Sequence, residues 1–73
     1  MLNHADYLGQ MRDLGKGAAE AQHSKRDQSL VQFRFECARK ITRMFQGDDR
    51  AALLAAFDAA YREESRLYLS PAI

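Results

Sequence analysis

Apolar residues recur at helical spacing in three successive segments of the chain. In the first segment, five of them are separated by intervals of 4, 3, 4 and 3 residues: Tyr7, Met11, Leu14, Ala18 and Ala21. This spacing places them on one stripe of a helix. Asn3 precedes the stripe and is suited to be an N-cap, and Asp6 lies three residues after Asn3. We therefore predict a helix over about residues 4–21. The glycines of Gly15-Lys16-Gly17 predict fraying near Leu14, because each lowers helix stability by about 1 kcal/mol relative to alanine.

The second segment carries the widest apolar surface. It opens with Ser24 and Asp27, spaced as in a capping box, and closes at Gly47, a residue suited to the left-handed conformation that often follows a helix. At 100° per residue its apolar positions fill an arc of about 200°, roughly twice the width found on an ordinary surface helix. These positions are Leu30, Val31, Phe33, Phe35, Cys37, Ala38, Ile41, Met44 and Phe45. We predict a helix over about residues 25–46 that is covered on two sides.

The third segment begins with Asp48 and Asp49, acidic residues suited to the positive end of a helix dipole. Its apolar arc consists of Leu53, Leu54, Phe57, Ala60, Tyr61, Leu67 and Tyr68. Alanines at positions 51, 52, 55 and 59 leave part of the remaining surface flat. We predict a helix over about residues 49–68, followed by a loose tail at 69–73. Because only Gly47 and its neighbours separate the second and third helices, the two should form an antiparallel hairpin.

These segments predict one all-α domain spanning residues 1–73, a small helical bundle in which the N-terminal helix packs on a long antiparallel hairpin. A domain of this length buries only about 60% of the surface of its unfolded chain. Its single cysteine excludes an internal disulfide. Self-association is a common source of additional stability for such small domains, so we expect a homodimer.

Charge is unevenly distributed along a chain whose net charge is only +1. Residues 25–43 carry six basic side chains against two acidic ones, and residues 48–73 carry five acidic against three basic. The small net charge predicts no general attraction to nucleic acid or to anionic membranes. The lone cysteine, with no signal peptide and no apolar run near 18 residues, predicts a cytoplasmic protein that does not associate with membranes.

Two charged residues lie within the apolar arcs. Arg34 falls near the centre of the second arc and Glu64 near the centre of the third. In a hairpin turning at Gly47, Arg34 comes opposite Tyr61, with Asp58 and Glu64 about one turn to either side. Since a guanidinium can bind a carboxylate in two places, we predict that Arg34 pairs with Glu64 or Asp58 and sets the register of the hairpin. Alternatively, the Arg34 stem lies on the apolar surface and its head reaches water.

The stretch VQFRFEC, from Val31 to Cys37, also alternates with the period of a strand. It resembles the DNA-binding ribbon of ribbon-helix-helix repressors, over about seven residues. The resemblance implies that Gln32 reads adenine, Arg34 guanine and Glu36 cytosine. The caps and the continuous apolar arc favour the helix, and the ribbon stands as the alternative.

Residues capable of catalysis or metal binding are few. Cys37 falls within the apolar arc, where a cysteine is usually a small buried hydrophobe. His4 and His23 are 19 residues apart, and neither has a second ligand at the spacing of four residues that metal sites on helices use. His23 is expected in a loop. We therefore predict no enzymatic activity, no metal and no cofactor.

The polar face of the second helix is the stronger candidate for binding. It comprises Lys25, Gln28, Gln32, Arg39, Lys40 and Arg43. Such a face most often only contacts water, but it could also contact a protein or follow a phosphate backbone. We expect a protein-binding adaptor, regulator or inhibitor, of the kind encoded by bacterial accessory or mobile elements. The alternative is a transcriptional regulator that binds nucleic acid through this face.

Overall fold

The computed structural model describes residues 2–69, which are helical almost throughout. In chain order the elements are a 3-10 turn at His4–Tyr7, α1 at Leu8–Glu20, a π-helical turn at Ala21–Lys25, α2 at Gln28–Thr42 and α3 at Gly47–Leu69. Residues 2–69 contain no strand. The prediction of an all-α domain is therefore confirmed.

The stretch Val31 to Cys37 lies inside α2, so the ribbon interpretation is wrong. The residues that α2 buries include Val31, Ala38 and Ile41. These three positions share one side only at the helical period of 3.6 residues, because a period of two would send Val31 and Ala38 to opposite faces. Burial against the rest of the domain therefore selects the helix.

The start of α2 differs from the predicted capping box at Ser24, which instead lies in the π-helical turn. Arg26 adopts a left-handed conformation, with a φ of 52°. This conformation ends the run of helical backbone hydrogen bonds that begins in α1. The unpaired N–H groups at the start of α2 therefore follow Arg26 in the chain. Asp27 caps them, and its side chain accepts a hydrogen bond from the N–H of Leu30 at 3.1 Å.

The predicted cap at Asn3 agrees with the structure, whereas the predicted end of the second helix at Gly47 does not. The side chain of Asn3 accepts a backbone N–H at 3.0 Å and caps the first helical turn. Gly47 is left-handed, with a φ of 60°. However, α2 already ends at Thr42, and four residues separate it from Gly47, the first residue of α3. The Nε of Arg50 donates to the carbonyl oxygens of Thr42 and Phe45 at 3.1 and 2.9 Å, which satisfies acceptors that the end of α2 leaves free.

Helix α1 continues through Gly15-Lys16-Gly17 without a break, so the predicted fraying near Leu14 is wrong. Gly15 is buried. A Cβ at this position would collide with the carbonyl oxygen of Phe57 and lie 3.2 Å from the Cβ of Ala60. The missing side chain thus lets the backbones of α1 and α3 approach each other, and this packing offsets the low helix propensity of glycine.

The core lies where α1 meets the other two helices, with Met11 and Leu53 fully buried. Its members are Met11, Leu14, Ala18, Ala38, Ile41, Phe45, Leu53 and Phe57. Helix α1 packs most extensively against α3 and next against α2, whereas α2 and α3 contact each other much less. None of the helices in residues 2–69 is long and apolar enough to cross a membrane.

Candidate functional site

An apolar groove of about 440 Å³ lies between α2 and α3. Its lining residues are Phe35, Ala38, Arg39, Thr42, Leu54, Phe57, Asp58 and Tyr61. The floor is formed by side chains that are already buried, among them Ala38 and Thr42. The walls carry Phe35 and Leu54, which remain 38% and 49% exposed. The groove therefore presents large apolar side chains to solvent above a closed floor.

The two walls carry opposite charges. Arg39 lines the groove from α2, and Asp58 lines it from α3. Within residues 2–69, Arg39 forms no ion pair. The Oδ2 of Asp58 forms an ion pair with the Nε of Arg62 at 3.1 Å, one turn further along the same helix. Both members of that pair are exposed, so it contributes little to stability and leaves Asp58 able to bind another cation.

A chain of aromatic rings connects the groove to the π-helical turn. The ring of Phe35 lies 5.1 Å from that of Phe57 and 6.0 Å from that of Tyr61. The ring of His23 lies 6.4 Å from Tyr61 and is stacked at 5.9 Å on Tyr68. Aromatic pairs at such distances add about 0.5–1.5 kcal/mol each beyond their burial. These contacts hold α2 and the π-helical turn against α3, so His23 is half-buried in a helical turn and not in the loop that we predicted.

Tyr68, at one end of this chain of rings, is linked to two acidic residues. Its hydroxyl donates a hydrogen bond to Oε2 of Glu64 at 3.1 Å. Desolvation, this hydrogen bond and the negative charges of Glu64 and Glu20 raise the pKa of Tyr68 above its ordinary value of 10.0. The physical cause is that a phenolate here would lose hydration and face two carboxylates.

The structure does not bring Arg34 to Glu64 or Asp58, the partners predicted to set the hairpin register. Instead its guanidinium lies against α1 at Gly17, where an added Cβ would be 3.2 Å from Nε and 3.3 Å from Cζ. The Nε is buried and has no hydrogen-bond partner within residues 2–69. The predicted pair was based on α2 and α3 alone. In the structure α1 lies against α2 at Arg34. The guanidinium fits between them because Gly17 of α1 has no side chain.

The predicted polar binding face is exposed at all six of its positions. Four of the six lie on α2, namely Gln28, Gln32, Arg39 and Lys40, and Arg43 directly follows its last residue. Three of these share a shallow surface depression with Glu36. The sixth, Lys25, lies in the π-helical turn, where its Nζ is 3.6 Å from a carboxylate oxygen of Glu20. The structure thus keeps a mainly basic face on α2, with one acidic residue among the basic ones.

The remaining candidates for chemistry have structural contacts. Cys37 is half-buried and packs against the core. The Nδ1 of His4 lies 3.3 Å from a carboxylate oxygen of Asp49, which connects the N-terminal turn to the start of α3. No group of three or more His, Cys, Asp or Glu side chains within residues 2–69 could hold a metal ion.

The apolar periodicity predicts Phe35 and Leu54 on the apolar arcs but does not indicate that both stay exposed. The signal was nevertheless present in the width of the α2 arc, which at about 200° exceeds the surface that one neighbouring helix covers. In the structure α1 covers part of this arc. Phe35 is on the part that remains exposed and forms a wall of the groove.

Comparison of the chain with protein-family models, with curated proteins and with solved structures finds no match. Function must therefore be inferred from the groove and from the exposed face of α2.

Proposed function

We propose that the chain is a cytosolic protein-binding adaptor, regulator or inhibitor, and not an enzyme, whose groove between α2 and α3 receives an apolar protein helix. The observation that supports this function is the exposure of Phe35 and Leu54 above a buried floor. Covering a side chain of this size contributes about 1.5–3 kcal/mol when it is fully buried. A groove between two helices is a common site for an amphipathic helix that inserts large apolar side chains.

The antiparallel arrangement of α2 and α3 is part of this proposal. Phe35, at the middle of α2, contacts Tyr61 in the second half of α3. Thr42, the last residue of α2, lines the groove together with Leu54, which lies near the start of α3. Contacts that join opposite ends of two helices are those of an antiparallel pair. They support a hairpin in which both helices contribute a wall along the same groove.

Affinity capture from extracts of cells that express the chain tests this function. Three baits are compared: the natural chain, Leu54→Glu and Leu67→Glu. Leu67 is 73% exposed and lies on α3, but it lines a different cleft, between α1 and α3, and so serves as the matched control. A partner of the groove should be retained by the natural chain and by Leu67→Glu. It should be lost with Leu54→Glu, because a carboxylate would have to be buried without a partner.

Circular dichroism measures the helicity and the thermal unfolding of all three baits and so checks that each is folded. A captured protein that binds Leu54→Glu as well as it binds the natural chain would contradict binding at the groove.

The exposed basic face of α2 supports a second candidate function, which is binding of nucleic acid. Arg39, Lys40 and Arg43 lie together and could contact consecutive phosphates. The affinity for duplex DNA should then fall steeply as the salt concentration rises. Lys40→Ala should reduce the slope of the logarithm of affinity against the logarithm of salt concentration by about 1, since one phosphate contact is lost. If no binding is measurable even at low salt, this function is excluded.

A further inference from the structure

We infer that the groove is occupied by a second copy of this chain, in a two-fold symmetric dimer in which α2 of each copy packs on the α3 wall of the other. This dimer rests on the proposed function, because it uses the same groove as a protein-binding site. Opposite charges on the two walls and the exposed apolar side chains of the groove support it.

The charges on the groove walls are complementary under a two-fold rotation. In a two-fold interface, a contact between one residue and a second residue of the partner always occurs twice. Arg39 is on the α2 wall and Asp58 on the α3 wall. When α2 faces α3 of the other copy, Arg39 therefore meets Asp58 of the partner subunit at two symmetric places. Within residues 2–69, Arg39 has no ion pair that this contact would have to break.

The opposite arrangement, in which the two copies of α2 face each other, is disfavoured by charge. Arg39 would lie close to its own symmetry mate, and Lys40 and Arg43 on the same exposed face would add further positive charge. Like charges placed opposite each other reduce affinity and select against such a pairing. Charge therefore favours the contact between α2 and α3 and specifies which walls meet.

The apolar side chains of the groove are placed as the centre of such an interface. Phe35 is on the α2 wall and Leu54 on the α3 wall, and both are substantially exposed in the single chain. Two copies would bring four large apolar side chains together, while the charged pairs lie beside them. An apolar centre with a polar rim is the usual composition of a stable protein interface.

Size-exclusion chromatography with light scattering tests the dimer on the full chain. At loading concentrations on the order of 100 μM, an interface of micromolar affinity is almost fully populated. The natural chain and the control Leu67→Glu should show twice the mass of 8.3 kDa. Leu54→Glu should raise the dissociation constant at least about tenfold and shift the chain to the monomer, with helicity unchanged. A natural chain that is monomeric, or a dimer that Leu54→Glu leaves intact, overturns the inference.

A charge exchange tests which walls are in contact. Arg39→Asp and Asp58→Arg should each weaken the dimer about tenfold or more, because each places like charges together. The double variant Arg39→Asp/Asp58→Arg should recover most of the natural affinity, since the pair is restored in reverse. A dimer that Arg39→Asp strengthens would have α2 facing α2, and this result also overturns the inference.

These outcomes separate the dimer from the proposed function. If the chain is monomeric and Leu54→Glu still abolishes capture of another protein, the groove is a protein-binding site and only the identity of its occupant is wrong. If the chain is monomeric and no captured protein depends on Leu54, the dimer and the proposed function both fail.

Discussion

Replacing Gly15 by alanine should destabilise the chain, whereas the same replacement at Gly9 should stabilise it. Both glycines lie in α1 and differ in what an added Cβ would contact. At Gly9 nothing lies within 4 Å of the Cβ position. At Gly15 the Cβ would collide with the carbonyl oxygen of Phe57. This oxygen belongs to the main chain of α3, so it cannot rotate away as a flexible side chain can.

The expected magnitudes follow from two opposing effects. In a helix, alanine is favoured over glycine by about 0.8–1 kcal/mol, somewhat less near the first turn, where Gly9 lies. Gly9→Ala should therefore raise the free energy of unfolding by about 0.5 kcal/mol or more. At Gly15, overpacking costs typically about 1–3 kcal/mol because α1 and α3 must move apart and loosen their contacts around Met11 and Leu53. Because the added Cβ would meet main-chain atoms, the cost should lie near the upper end of this range, which leaves a net loss of about 2 kcal/mol and separates the two variants by about 2.5 kcal/mol.

Thermal and urea unfolding followed by far-ultraviolet circular dichroism measure this difference. For a domain of this size, 1 kcal/mol shifts the Tm by about 4–8 °C. Gly17→Ala provides an intermediate case, because its Cβ would meet only the end of the Arg34 side chain, which can shift. Equal stability of Gly15→Ala and Gly9→Ala would show that the backbones of α1 and α3 do not approach closely at Gly15.

Three further predictions concern the cap of α2, the titration of Tyr68 and the burial of Arg34. Asp27→Ala should lower the free energy of unfolding by about 1 kcal/mol in urea titrations, whereas Ser24→Ala should change it by less than about 0.5 kcal/mol, because only Asp27 caps the helix. The folded-state pKa of Tyr68 is raised, so the stability it contributes is present below pH 10.0 and is lost as the pH rises above that value. Glu64→Gln should lower this pKa, measured by the ultraviolet absorbance of the phenolate, and a pKa that stays unchanged would contradict the assigned cause. Arg34→Met keeps the packing of the stem and removes a buried Nε without a partner, so it should leave the Tm unchanged or raise it, and a clear decrease would indicate a bound water or ion pair at that atom.

The three helices could be predicted from the sequence because their apolar periodicity extends over many turns. The boundary between α1 and α2 could not be predicted from the sequence. Ser24 and Asp27 are both good capping residues, and only the left-handed conformation of Arg26 decides between them. Arginine does not signal this conformation, since glycine or asparagine usually adopts it. The local sequence therefore contained two plausible starts, and the packing of the π-helical turn against α3 favours the later one.

The contacts of Arg34 show a different limit of prediction. Arg34 lies within the apolar arc of α2 and is half-buried. Its partner was inferred from an idealised pair formed by α2 and α3, in which α1 has no defined place. The structure places α1 against α2 at this point and uses Gly17 to accommodate the guanidinium. A glycine whose role is to leave space for a distant side chain has no recognisable pattern in a single sequence.

Gly15 and Gly17 of α1 together explain why a groove remains between α2 and α3. Gly15 lets α1 approach α3, and Gly17 lets it accommodate Arg34 of α2, so α1 becomes the main neighbour of both helices. The residues of α2 that face α3 across the groove include Ala38 and Thr42, which are too short to fill the space between the helices. The apolar arc of α2 is consequently divided between a part that packs on α1 and a flank at Phe35 that stays exposed. An apolar surface twice as wide as usual thus gives α2 two apolar flanks, of which α1 covers one and the other stays exposed at Phe35.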